Sequence, residues 1–290
     1  MASPEEMSDT GIATLRISIV TVNRDNREGL LRTVESVEAQ ESNSLEFIVI
    51  DGASSDGSAE LLRSGGAGRA RWVSEPDSGI YAAMNKGIGL SRGEYLLFLN
   101  SGDRLASHDT VGNLLGILDS GADIYYADLL IADGTKSSQI SYPHSISPDF
   151  FITSTISHQN SLIRRGLLLE AGCYREDFRI ASDWFFFLDA SLRLRASFRW
   201  IDTRIAVMEP GGIGSDPGLA SVRRKEHERG FEDAFGALAP AMRELASYRS
   251  SSFGHLVGLF GNSKVLDFLL RVYSFFARRL PFLRTNRGRG

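Results

Sequence analysis

The stretch Glu94-Tyr95-Leu96-Leu97-Phe98-Leu99-Asn100-Ser101-Gly102-Asp103 decides how this chain is read. Leu96 to Leu99 is an unbroken apolar run, the pattern of a strand buried on both faces in the middle of a parallel sheet. It stops at a polar turn, Asn100 to Asp103, that carries a carboxylate. Open α/β sheets bind ligands at the carboxyl ends of their strands, so a site is expected at this turn. Oxygen-bearing side chains there suit a hard divalent cation that also holds phosphate oxygens. The competing reading is an ordinary polar turn whose Asp103 caps a helix over 107–118.

Outward from that strand the chain alternates. Strands are expected over 16–22, 46–51 and 71–74. A first helix turns Leu30, Val34 and Val37 inward and Glu28, Arg32, Glu35 and Glu38 outward. A short helix ends near Ser64-Gly65-Gly66, and another runs from Gly79 to Leu90. This β-α-β-α-β-α-β order with short connections specifies a mostly parallel sheet with right-handed crossovers, an α/β fold. The sequence argues against a dinucleotide-binding version, because Thr21-Val22-Asn23-Arg24-Asp25-Asn26 has no glycine where the phosphate turn would stand. Polar groups collect instead at three strand ends: Thr21 and Asn23, Asp51, and Asn100 and Asp103. One crevice along one sheet edge is implied.

Beyond Asp123 the alternation breaks down. Strands are expected over 123–130, 139–142, 199–202 and 205–209, and Ser182 is placed to cap an apolar helix containing Trp184 to Phe187. Pro210 to Ser215 reads as a flexible connection, and from Pro217 the chain is mostly helical. The resulting division is a disordered start over 1–14, a catalytic domain over 15–215 and a helical extension over 216–290. The domain has halves 15–122 and 123–215.

Composition narrows the class. The chain has 290 residues, 42% hydrophobic and 23% charged, an ordinary globular balance. A single cysteine, Cys173, excludes a disulfide framework and a cysteine zinc cluster, and reads as a small buried hydrophobe beside Gly172. No signal peptide or run of roughly eighteen apolar residues is visible, so a cytoplasmic setting is expected. Residues 264–290 carry seven Lys/Arg and one acid, net +6, against −10 for the remainder. Lys264, Asp267, Arg271, Ser274 and Arg278 form a narrow polar stripe among apolar residues. That pattern fits either a helix lying on an anionic membrane surface through Lys264–Arg289 or one docked on protein. No nucleic-acid partner is expected.

Individual residues carry the chemistry. Asp51, a carboxylate ending a buried strand, needs a polar partner, which a nucleobase ring N–H would supply. Asp56 reads as a helix cap. Asn85 and Lys86 follow Gly79 on a helix packed under the sheet, where the lysine either neutralises a diphosphate or is simply solvated.

Four ordered segments now share one resemblance: Thr21-Val22-Asn23, Val49 to Gly57, Ser74 to Ile88 and Phe98 to Asp103. Together they resemble glycosyltransferase family 2 over about residues 16–210, nearest to the bacterial colanic-acid, exopolysaccharide and glycolipid enzymes. The resemblance implies a GT-A fold, a nucleotide-diphospho-sugar donor, Mn²⁺ or Mg²⁺, and inversion at the anomeric carbon. The acceptor would be a hydroxyl of a polysaccharide or lipid-linked glycan, reached at the inner face of the cell membrane. By this resemblance Thr21 and Asp51 hold the nucleoside, with Asp51 meeting the base. Asn23, Asp77, Asn85, Lys86 and Asn100 complete the donor site. Asp103 matches the metal ligand, while Asn100 and Gly102 stand where many members carry acids, a loss of charge at the metal. His158, in Ser157-His158-Gln159, matches a His-Gln element that serves metal or phosphates; a buried structural histidine is the alternative.

Asp183 falls where the family places its catalytic base. An inverting transfer needs a carboxylate to take the acceptor hydroxyl proton. The neighbouring aromatics are expected to raise its pKa, and the metal takes the charge of the leaving diphosphate. The competing reading of Asp183 is a carboxylate favoured by the helix dipole. For the whole chain, the rival is a catalytically silent sugar-nucleotide-binding or scaffold protein of a polysaccharide assembly.

Overall fold

The computed structural model describes residues 15–250; the expectations for 1–14 and for Lys264–Arg289 fall outside them. The strands are β1 (Ile17–Asn23), β2 (Leu45–Asp51), β3 (Arg71–Ser74), β4 (Tyr95–Phe98), β5 (Arg104–Leu105), β6 (Ile124–Tyr126), β7 (Leu129–Ala132), β8 (Ser137–Ile140), β9 (Ser161–Arg164), β10 (Phe198–Trp200) and β11 (Ala206–Met208). The helices are α1 (Arg27–Glu38), α2 (Ser58–Leu61), α3 (Ile80–Leu90), α4 (Thr110–Leu115), α5 (Phe150–Thr153), α6 (Arg165–Ala171), α7 (Ser182–Leu192), α8 (Ala220–Phe235) and α9 (Ala239–Ser250).

Among the described residues, a seven-stranded sheet runs in the order β10-β6-β9-β4-β1-β2-β3, with β9 antiparallel to both its neighbours and the other pairings parallel. The apolar runs read from the sequence become its centre: β1, β2 and β4 are buried along their whole length. Register places Asn23 opposite Asp51 and Asp51 opposite Ser74, so these side chains form one row at the carboxyl edge. Because β9 is antiparallel, the residues that enter it, His158 to Asn160, start at that same edge.

A four-stranded sheet, β5-β11-β7-β8, accounts for the irregular second half. The single strand expected over 123–130 is two. β6 pairs inside the main sheet and β7 in the second, and the break lies at Ala127-Asp128. The Asp128 carboxylate fixes that break by accepting from Tyr142 N (3.1 Å) and Trp200 Nε1 (3.3 Å). The helix expected over 107–118 shortens to α4, and its N-cap position is Asp109, not Asp103. Ser182 is the first residue of α7 rather than its cap; Ala181 holds the cap position, and Ser182 Oγ accepts from Arg175 N at 2.7 Å. Cys173 is half-buried, not enclosed, in a left-handed conformation (φ 65°) where the chain reverses after α6.

The chain separates into two compact units, one ending at Ala234 and one beginning at Phe235. Nearly all of α8 therefore belongs with the sheet-bearing unit, not with an extension starting at residue 216. The reason is packing. Trp184 of α7 stacks on His227 (centroids 4.0 Å apart) and on Phe231 (5.9 Å). Gly230 makes this close approach feasible, since a Cβ there would stand 2.7 Å from Trp184 Cζ3. Among the described residues no helix is long and apolar enough to cross a membrane.

Candidate active site

At the β1–β2–β3 end of the edge, Asp51 sits fully enclosed. Its carboxylate accepts from Asn23 Nδ2 (2.7 Å), Ser54 Oγ (2.5 Å), Ser54 N (3.1 Å) and Ser74 Oγ (2.6 Å). Burial pushes its pKa upward, but the hydrogen bonds from Ser54, Ser74 and Asn23 outweigh it and hold the carboxyl below its ordinary value. The polar partner that this strand-end carboxylate needed is thus supplied by the protein. Asp51 is fully enclosed, and its contacts with Ser54 tie the loop after β2 to the strand end. Thr21 is equally enclosed, and its hydroxyl lacks a partner among the described residues.

Asp77 stands against Gly52 at this end. Its side chain is 6% exposed, 3.7 Å from Arg24 Nη1. It accepts from Gly79 N at 3.1 Å. A Cβ on Gly52 would stand 2.6 Å from Asp77 Oδ2, so the glycine makes room for that carboxylate. Asn85 and Lys86 are otherwise engaged. Asn85 Nδ2 donates to Tyr174 O (2.8 Å) and Glu176 Oε1 (3.0 Å), and Asn85 Oδ1 accepts from Tyr174 N (2.9 Å). Both ends of the amide are used to clamp the 174–176 loop onto α3. Lys86 Nζ pairs with Glu75 Oε1 at 2.8 Å.

The turn after β4 is organised by Thr33 of α1. Its hydroxyl accepts from Gly102 N (3.0 Å) and lies 2.7 Å from Asp103 O. Gly102 adopts φ 103°, and a Cβ there would collide with Glu209, whose carboxylate is held by Arg32 Nη2 at 2.8 Å to each oxygen. An acid at position 102 would therefore strain the turn and crowd Glu209. Asp103 is buried and accepts from Glu209 N at 2.9 Å. Burial pushes its pKa up to about 6, against the pull of the Glu209 N–H and of His158. The amide oxygen of Asn100 is buried without a partner among the described residues.

Between the two halves runs a chain of four side chains. Asn100 Nδ2 lies 3.3 Å from His158 Nε2, His158 Nδ1 lies 3.0 Å from Asp183 Oδ2, and Tyr81 Oη donates to Asp183 Oδ1 at 2.9 Å. Tyr81 Oη also reaches Ile180 O at 2.6 Å. Burial drives the Asp183 carboxyl upward, yet the contacts with His158 and Tyr81 prevail and hold it below its ordinary value. The expected upward shift from the aromatic run does not occur, because Trp184 and Phe187 turn into the core while polar groups cap the carboxylate. Its side chain is 20% exposed, so the oxygens remain reachable. His158 has both ring nitrogens engaged, on Asp183 and Asn100.

Among the described residues no three His, Cys, Asp or Glu side chains converge to hold a metal. The oxygens at the β4 end are hard donors of the kind Mg²⁺ and Mn²⁺ prefer, and the unpartnered Asn100 amide oxygen beside buried Asp103 fits a cation completed by substrate phosphates and water.

Two contributors went unread in the sequence. Tyr81 stands two residues after Gly79, on the inward face of α3, where periodicity marks only core. Glu226 of α8 accepts from Arg179 N (2.5 Å), Ile180 N (2.9 Å) and Ala181 N (3.0 Å), the segment leading into α7. No local pattern announces a contact across that sequence separation.

Comparison with known proteins places this arrangement in its class. The family model Glycosyl transferase family 2 matches residues 17–170, and the chain belongs to that family, with a GT-A fold: it is a glycosyltransferase. A Mycobacterium tuberculosis protein named as an uncharacterized glycosyltransferase is 35% identical over 182 residues, covering 61% of this chain and 69% of its own. A Mycobacterium bovis PGL/p-HBAD biosynthesis glycosyltransferase is 28% identical over 159 residues, covering 53% and 60%. Among solved structures, S. aureus TarS in complex with UDP-GlcNAc superposes with TM-score 0.62 at 15% identity, covering 87% of this chain and 77% of that one. The mannosyltransferase PcManGT from Pyrobaculum calidifontis, in complex with GDP-Man and Mn²⁺, gives 0.59 at 14% identity, covering 93% and 83%. At such identities these likenesses concern the fold.

Proposed function

We propose that the enzyme transfers a sugar from a nucleotide-diphospho-sugar to a hydroxyl of a glycan or lipid-linked glycan, with inversion, and that Asp183 is its base. The observation that carries this reading is the Asp183 carboxylate, kept ionised by His158 and Tyr81 at a sheet edge whose other end carries Asn23, Asp51 and Asp77. His158 and Tyr81 contact different carboxylate oxygens, and lone pairs remain to receive a proton. The acceptor hydroxyl oxygen forms the new bond to the anomeric carbon, its proton passes to Asp183, and the bond to the diphosphate oxygen breaks. His158 and Tyr81 orient the carboxylate, and Asp77 and Asn23 line the nucleotide end.

Asn100 and Asp103 would hold Mn²⁺ or Mg²⁺ together with the diphosphate, and the cation would supply charge neutralisation to the leaving group. Sugar-nucleotide complexes of fold neighbours and the PGL/p-HBAD biosynthesis name of a relative support the donor class and an envelope glycolipid or polysaccharide acceptor. The basic segment Lys264–Arg289 suits an anionic membrane surface at the cytoplasmic face, where a lipid-linked acceptor lies. Calorimetric titration with UDP, GDP and dTDP, each with and without Mn²⁺, tests the donor side. Binding of one nucleotide, strengthened by Mn²⁺, is expected. A folded protein that binds none of them fits the silent scaffold instead.

A further inference from the structure

Glu226 lies beyond the family-matched span, on α8, and its side chain is nonetheless buried against the segment that delivers Asp183. Its two carboxylate oxygens collect three consecutive backbone N–H groups, from Arg179, Ile180 and Ala181. Ala181 makes no side-chain cap to α7, so the position of this turn depends on partners from elsewhere. Ile180 is held from both sides: its N–H by Glu226 and its carbonyl by Tyr81 Oη, the hydroxyl that also donates to Asp183. α8 is pinned in turn by the Trp184–His227 stack and by ion pairs of Arg175 with Asp233 and Arg229 with Asp177. Arg175 and Arg229 also lie over the Phe178 ring, 4.3 and 4.4 Å from its centroid.

We propose that Glu226 is a positioning residue for the transfer: it sets the entry of α7 and thereby the placement of the Asp183 carboxylate, making α8 a working part of the acceptor side. This rests on the reading of Asp183 as the base. A capping carboxylate that served stability alone would touch folding and leave turnover per folded molecule intact. A positioning carboxylate acts on turnover, because small displacements of a reacting group cost large factors in rate.

The test compares Glu226→Gln with the unaltered enzyme in hydrolysis of the sugar nucleotide whose nucleotide binds in the titration, with water as the acceptor. The amide keeps the volume but turns an NH₂ toward backbone N–H groups. The expected result is a fall in kcat of roughly 10- to 100-fold, with the donor KM within about twofold and faster amide exchange confined to 179–181. Unchanged kcat despite faster exchange there would show a cap and nothing more; a loss wholly accounted for by weaker nucleotide binding would equally overturn the proposal. If the glutamine variant does not fold, Glu226→Asp, which withdraws the charge by one methylene, is expected to give a smaller fall in kcat with the same unchanged KM. Asp183→Asn in the same assay separates the two ideas, since full activity there removes the base reading whatever Glu226 does.

Discussion

His158 Nδ1 stands 3.0 Å from Asp183 Oδ2, joining the edge of the main sheet at β9 to the start of α7. The histidine is part of what keeps this buried carboxyl below its ordinary pKa. Replacing it by glutamine removes the ring that orients the carboxylate and lets burial dominate. The Asp183 pKa then rises, so the acid limb of the kcat profile moves to higher pH and kcat at neutral pH falls by about 10- to 100-fold. A pH–rate series of His158→Gln checks the direction; an acid limb that stays in place would disconnect His158 from the base.

Asp51→Asn concerns the nucleotide end. The folded pKa of Asp51 is lowered from 3.8, so its contribution to stability is present above that value and is lost as pH falls through the lowered folded value. The asparagine variant turns an NH₂ toward Ser54 and Ser74, and is expected to lose on the order of 1–3 kcal/mol at pH 7. Below the titration range the difference shrinks. Urea melts at pH 7 and in a series of falling pH measure both. Because Asp51 is enclosed, the ranking of UDP, GDP and dTDP should not change in the variant; a reversed ranking would place it against the base after all.

Asn85→Ala distinguishes a clamp from a donor contact. The substitution leaves Tyr174 N and O without their partners and is expected to cost about 1–3 kcal/mol in urea unfolding. Nucleotide affinity should stay within about twofold by calorimetry.

Asp103→Asn addresses the cation. The variant keeps the acceptor for Glu209 N but loses the carboxylate charge. Mn²⁺-dependent enhancement of nucleotide binding is expected to fall at least about tenfold, and EDTA should reproduce that loss in the unaltered protein. Enhancement that survives in the variant but is abolished by EDTA would assign the metal elsewhere.

Much of the frame was readable because the central strands obey one rule: Phe47 to Ile50 and Leu96 to Leu99 are apolar without interruption, and Ile17 to Val22 is broken only by Ser18 and Thr21, as suits strands covered on both faces. The crevice edge followed from where those runs end. The partners of the polar groups did not, because they are set by register and loop closure. Asp51 looked like a carboxylate awaiting a ligand until Ser54 and Ser74 were placed around it. Asn85 sits on a helix that periodicity locates correctly, yet its amide is taken by a loop 89 residues away. The run from Asp123 to Leu130 reads as one strand, since apolar alternation does not reveal a strand that changes sheets. Glu226 was least legible of all, being a polar residue on a largely polar helix whose burial comes entirely from tertiary contact.

Transfer by Asp183→Asn, measured beside nucleotide binding by the same preparation, bears most directly on the central claim. The substitution preserves shape and the contact with Tyr81 while removing the proton acceptor. Nucleotide affinity unchanged within about twofold, with kcat reduced at least about 10²-fold, is the predicted result. Transfer at the unaltered rate would contradict it and remove Asp183 from the chemistry.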